Sequence, residues 1–223
     1  MAYIVGEYGE KPRRRRPLLI VLAVVAVAVI VAAAFILGHR GTSGATPQRA
    51  EQGDQNESIS WEMAGAQPVP VSSDHGPRII SNGLASGFSD DELGAVIAAI
   101  NIDARLSPAL GPAVYEPTLR QQCVGDINGV LKALPIVVRQ GTPDSTFPTQ
   151  YYYKIIDGSV AASALDVSIV AATPQATQLG GYAELTRTVY WYEGDWKLQV
   201  PTPRPRIINS TDGYTPLGGQ PHA

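Results

Sequence analysis

Residues 182–200 read YAELTRTVYWYEGDWKLQV. Trp196, Leu198 and Val200 alternate with Lys197 and Gln199, the period of two expected of a strand with one buried face. Glu193-Gly194-Asp195 supplies turn chemistry, so the stretch predicts two strands, 182–192 and 196–200, joined tightly. Moving toward the N-terminus, SALDVSIVAA (163–172) repeats the pattern, with Leu165, Val167 and Ile169 set against Asp166 and Ser168. YYYKII (151–156) is a further aromatic and β-branched run, followed by the turn pair Asp157-Gly158. Four consecutive strands with short links predict an antiparallel meander.

Upstream of residue 139 the period changes to that of a helix. Ser89-Asp90-Asp91-Glu92 reads as a capping box with Ser89 as N-cap, and Asp90 and Asp91 complement the helix dipole. Leu93, Val96, Ile97 and Ile100 follow at helical spacing, which predicts a helix over about 90–105 ending at Ser107-Pro108. Ala95, Ala98 and Ala99 leave it thin enough to pack on two sides. A second helix is predicted over 117–134, with Pro117 in its first turn, a stripe of Leu119, Cys123, Ile127, Leu131 and Leu134, and Pro135 as its stop. Residues 59–80 carry scattered apolar anchors among Pro and Gly, the pattern of an extended segment wrapping the domain. The order of elements predicts an α+β domain over 59–202, with helices packed on a curved antiparallel four-stranded sheet. Residues 203–223 read as a mobile tail.

The N-terminal part differs in kind. Residues 17–38 contain a run of twenty uncharged residues after Pro17, close to the roughly 30 Å of a bilayer core at about 1.5 Å per residue. A cleaved signal peptide has a shorter apolar region, so an uncleaved transmembrane helix is the preferred reading. Arg13, Arg14, Arg15 and Arg16 precede it and set the topology. Residues 1–16 stay cytoplasmic and the C-terminal bulk lies outside the cell membrane. Residues 39–58 are a polar linker without large apolar side chains. The exported part has twelve Lys/Arg against eighteen Asp/Glu, a formal charge near −6, so no direct nucleic-acid binding is expected.

Catalytic patterns are sparse. The three histidines, His39, His75 and His222, sit on no periodic element, which disfavours a zinc site or a Ser–His–Asp triad. There is no phosphate loop and no dinucleotide fingerprint. Cys123 is the single cysteine, so no intrachain disulfide forms, and its place on an apolar stripe predicts a buried, inert thiol. No cofactor, metal ligand or catalytic residue is assigned. Tyr151, Tyr152, Tyr153, Tyr190 and Tyr192 are the candidate interface residues: alternate side chains of a strand face opposite ways, so some of these rings lie outside the core.

GFSDDELGAVIAAIN (87–101) and VYWYEGDWKLQVP (189–201), with the order of tail, span, linker and domain, resemble actinobacterial membrane-anchored proteins of conjugative elements. The resemblance extends over roughly 65–201 and includes the bitopic scaffold subunit of type IV secretion systems, the VirB-eight type. It implies a nuclear-transport-factor-like (cystatin-like) cone and a non-enzymatic scaffold of a conjugative DNA-transfer apparatus. The implied partners are other membrane-bound secretion or conjugation subunits, with a possible homo-oligomer. Two further classes stay open: an extracytoplasmic enzyme or small-ligand binder using the cone pocket, marked by a lining carboxylate such as Asp157 or Asp166, and an accessory protein of a lipid-import system.

Overall fold

The computed structural model describes residues 59–65, 67–138 and 148–218. The expected cytoplasmic tail, span and linker lie outside these residues, as do 219–223. No helix among the described residues is long and apolar enough to cross a membrane.

The lead-in is more regular than its Pro and Gly content predicts. β1 (Ile59–Ala64) and β2 (Gln67–Ser72) form an antiparallel hairpin. β3 (Ile79–Ser81) and β4 (Leu84–Ser86) form a second one, closed by Asn82-Gly83 with φ of 52° and 78°. Asn-Gly is the pair that accepts two successive left-handed residues, so this turn is written into the chain. Helix α1 (Glu92–Arg105) starts two residues later than expected. Its N-cap is Asp91 rather than Ser89, because the Asp91 carboxylate accepts the Gly94 N–H at 2.6 Å.

The second predicted helix is two helices with a strand between them. α2 (Pro112–Gln122) contains Pro117, and β5 (Cys123–Gly125) interrupts the apolar stripe. α3 then runs from Ile127 to Val138, past Pro135. Gly125 causes the break. Its φ of +108° does not belong to a helix, and a Cβ there would collide with the Val200 carbonyl. The backbone is thereby freed to pair with the sheet.

β6 (Gln150–Ser159), β7 (Ala164–Ala172), β8 (Tyr182–Tyr192) and β9 (Asp195–Val200) form the expected antiparallel meander, with a short α4 (Pro174–Gln178) between β7 and β8. The sheet is larger than the meander, and the cone with a four-stranded antiparallel sheet is corrected here. Among the described residues seven strands take part, in the order β11-β6-β7-β8-β9-β5, with β10 (Arg206–Ile208) on β8 and β11 being Thr215–Pro216. The sheet is mixed, since β5 runs parallel to β9 with Cys123 opposite Leu198. With the two hairpins added, strand residues outnumber helical ones among the described residues. Local periodicity missed β5, β10 and β11 because each is at most three residues long and is held only by a distant partner.

α1 lies against the inner face of the sheet, where Leu165, Val167, Val189, Trp196 and Leu198 are almost fully buried. Every residue from Gly94 to Ile102 in α1 is buried, because β2 and β4 cover the helix on its other sides. Burial of each such aliphatic side chain contributes about 1.5–3 kcal/mol. Asn101, wholly buried in α1, is satisfied by donating to the Pro70 and Ile97 carbonyls at 2.7 and 3.0 Å and accepting from Arg105 at 2.8 Å.

The outer face carries the segment expected to be a mobile tail. After β9 the chain pairs β10 with the free edge of β8, Arg206 opposite Glu184 and Ile208 opposite Tyr182. It then crosses the sheet and pairs β11 with β6, Pro216 opposite Tyr152. The Leu217 N–H donates to the Tyr151 carbonyl at 2.9 Å, and the Leu217 side chain is fully buried. Residues 203–218 are thus a strap running from the stretch of β8 that β9 leaves uncovered to the β6 edge of the meander.

Candidate functional site

Arg187 fixes which residues of β8 face inward. Its guanidinium grips Asp103 of α1 in a two-point pair, Nε to Oδ1 at 3.0 Å and Nη2 to Oδ2 at 2.9 Å. The even-numbered residues of β8 therefore face outward. The register adds Asp166 and Ser168 of β7, and Lys154 and Asp157 of β6, to that outer face.

The five candidate tyrosines separate by face. Tyr151 belongs to the core and is corrected as an interface residue: it is 3% exposed and stacks on Trp61, with centroids 5.4 Å apart and planes within 10°. Its hydroxyl accepts from Gln67 at 3.2 Å and donates to the Pro68 carbonyl at 3.3 Å, and burial pushes its ionisation up. Tyr153 is half-buried against the same core. Tyr152 packs edge-on against Tyr182 at 6.1 Å beside the strap. Tyr190 and Tyr192 are 37% and 57% exposed at the other end of the sheet. Arg13–Arg16 fall outside the described residues.

The titratable side chains form small clusters. Beneath the strap, Glu184 accepts from Ser168 at 2.7 Å, from Tyr214 at 2.9 Å and from the Arg206 guanidinium. The Arg206 hydrogen bond holds its carboxyl down at about 2 against the opposing effect of burial, with help from Ser168 and Tyr214. Asp195 accepts the Gly87, Phe88 and Trp196 N–H groups at 2.9, 3.2 and 3.0 Å. His75 uses Nδ1 toward both Asp91, at 2.9 Å, and Ser89, at 3.2 Å. A triad needs the acid and the nucleophile on opposite ring nitrogens, so this trio is a clamp on the start of α1. Burial pushes the Asp91 carboxyl up, but the Ser89 hydroxyl, the Gly94 N–H and His75 more than offset it and leave it below its ordinary value. Among the described residues no group of three or more His, Cys, Asp or Glu is placed to hold a metal ion. Asp157 and Asp166 face each other across β6 and β7 on the outer face, away from α1, and line no cone.

Cys123 lies on β5 rather than on a helical stripe, yet it is 8% exposed, and burial pushes its thiol up to about 12. Cys123→Ser should cost about 1 kcal/mol or more, because a hydroxyl replaces an apolar thiol. Urea denaturation checks the cost, and native protein should label slowly with a thiol reagent. Rapid labelling of folded protein would place the sulfur at the surface instead.

The stretches 87–101 and 189–201 are two halves of one packing unit. The Trp196 indole Nε1 donates to the Ser89 carbonyl at 2.8 Å, while the Asp195 carboxylate takes the Gly87 and Phe88 amides. A family model described as a domain of unknown function (DUF8175) matches residues 37–216. The chain belongs to this family. No curated protein and no solved structure matches it. The DUF8175 match takes in every strand from β1 to β11, so the strap is part of the family's domain.

Sequence reasoning missed the Glu184–Arg206–Tyr214–Ser168 cluster. One signal was present. Pro-Arg-Ile-Ile occurs at 77–80 and again at 205–208, and both copies contribute a strand. A β-branched pair behind Pro-Arg in the supposed tail marked it as strand-forming.

Proposed function

We propose that the protein is a membrane-anchored, non-enzymatic subunit acting by contact outside the cell, as a scaffold in a conjugative, type IV secretion-like DNA-transfer apparatus. One observation carries this reading. The charged side chains Glu184, Asp103 with Arg187, Asp195, and His75 with Asp91 fasten one segment of the domain to another, while the described residues leave part of the outer sheet face, with Tyr190 and Tyr192, bare. The span and linker supply the rest of the argument. As a flexible coil, a linker of this length reaches roughly 25 Å on average. Such confinement raises the effective concentration of other membrane subunits, so weak contacts suffice.

Exchanging residues 17–38 for an unrelated transmembrane helix should keep most DNA transfer between cells, whereas secreting the domain without an anchor should abolish it at native expression. Full transfer by the secreted domain would overturn the reading.

A further inference from the structure

We propose that the bare half of the outer sheet face is a docking surface for an extended, arginine-bearing segment of a partner protein; this rests on the contact reading above. The outer face of β6, β7 and β8 is one continuous surface. The strap covers the end that holds Tyr152, Ser168 and Glu184 and leaves the end that holds Asp157, Asp166, Thr188 and Tyr190.

The covered half displays the chemistry that this face accepts. Arg206 of the strap places its guanidinium on the Glu184 carboxylate, and the Tyr214 hydroxyl meets Ser168 and Glu184. The bare half offers matching groups without a guanidinium; Lys154, on the same face, has its ammonium toward Gly213 of the strap. Asp157 and Asp166 stand directly opposite each other on neighbouring strands, an arrangement that destabilises a sheet. Their hydrogen bonds come from neutral donors: the Gly158 N–H at 2.8 Å to Asp157 and the Thr188 hydroxyl at 2.6 Å to Asp166. Among the described residues neither carboxylate forms an ion pair. A planar guanidinium fits two adjacent carboxylates with its forked donors and relieves their repulsion. Tyr190 flanks the position with an exposed ring.

The extended form of the ligand follows from the edge. β11 covers β6 only at Tyr152 and Tyr153, so the stretch from Lys154 to Ser159 has no strand on that side among the described residues. A strand added there gains main-chain hydrogen bonds and brings alternate side chains over the outer face. Residues 156–159 at this end are exposed. Gly218 and Ile59 meet beside Tyr151, so the chain enters the domain at the opposite end of β6, about 26 Å from Ser159 at ~3.3 Å per residue. The exported part's charge near −6 favours a basic partner.

The test uses the full-length protein in detergent micelles and a fluorescein-labelled hexapeptide alternating Arg and Ile, read by fluorescence anisotropy. The double variant Asp157→Asn/Asp166→Asn should weaken binding tenfold or more. Neutralising two carboxylates elsewhere, Asp90→Asn with Glu116→Gln, should weaken it less than twofold. The docking variant should melt no lower than the parent, because it removes a repulsion, so lost binding is not unfolding. Equal weakening by the two double variants, or equal binding of a Glu-Ile hexapeptide, would overturn the proposal. If the peptide result fails while DNA transfer still requires the anchor, only this surface is wrong. A fully active secreted domain would remove the contact reading beneath it.

Discussion

Replacing Trp196 with alanine should cost about 3–5 kcal/mol, the range for truncating a fully buried aromatic, out of a net stability of roughly 5–15. Trp196 is 0% exposed and sits at the junction of three elements. Its ring meets Trp191 edge-on, 5.3 Å between centroids with planes at 69°. Its Nε1 donates to the Ser89 carbonyl just before α1, and its neighbour Asp195 holds the preceding backbone. Truncation therefore leaves a cavity, an unpaired carbonyl and a loosened start of α1 together. Trp196→Phe keeps most of the ring and loses the indole N–H, so it should cost less, about 1–3 kcal/mol. Urea unfolding of both variants separates the terms. An alanine variant within 1 kcal/mol of the parent would mean that the hairpin does not organise the helix.

Ending the chain after Thr202 should be comparably damaging, contrary to the behaviour of a mobile tail. The truncation removes Leu217 from the core and uncovers Val170, Ser168 and Glu184, which are 0%, 0% and 3% exposed beneath the strap. Leu217→Ala alone should cost about 2–5 kcal/mol. The truncated protein should lose cooperative thermal unfolding or melt far below the parent. Unchanged melting would show that the strap adds nothing to stability.

The strap also gives the domain an acid sensitivity. The Glu184 carboxyl is lowered from an ordinary 4.5 to about 2, with the Arg206 contact as the largest cause. Its contribution is therefore complete above about pH 4.5 and is lost as pH falls toward 2, where the folded carboxyl also protonates. Glu184→Gln should flatten that part of the stability profile.

Much of the domain was legible because its signals are local. Alternation in 163–172 and 182–200 marks strands whichever partner they find, and Asp-Asp-Glu before an apolar run marks a helix start within one turn. Gly125 defeated the reading of the second helix. A glycine inside a helical pattern weakens the helix only modestly in sequence terms, and only the Val200 carbonyl packed against it shows that the backbone had to leave the helix. The tyrosine runs were legible as aromatic strands but not by face, since Tyr151 and Tyr190 differ in what the rest of the chain lays over them.

The sequence by itself determined the meander, the main helix, the burial of Cys123 and the acidic character of the chain beyond residue 38, because periodicity, turn chemistry and charge act over a few residues. The tertiary structure decided that the sheet has seven strands among the described residues, that β5 runs parallel, and that residues 203–218 strap the outer face. Those features join residues far apart in the chain, as Arg206 does with Glu184 and Leu217 with Tyr151. Their free energy comes from burial and pairing that exist only once the meander has formed, so no short window of sequence contains them.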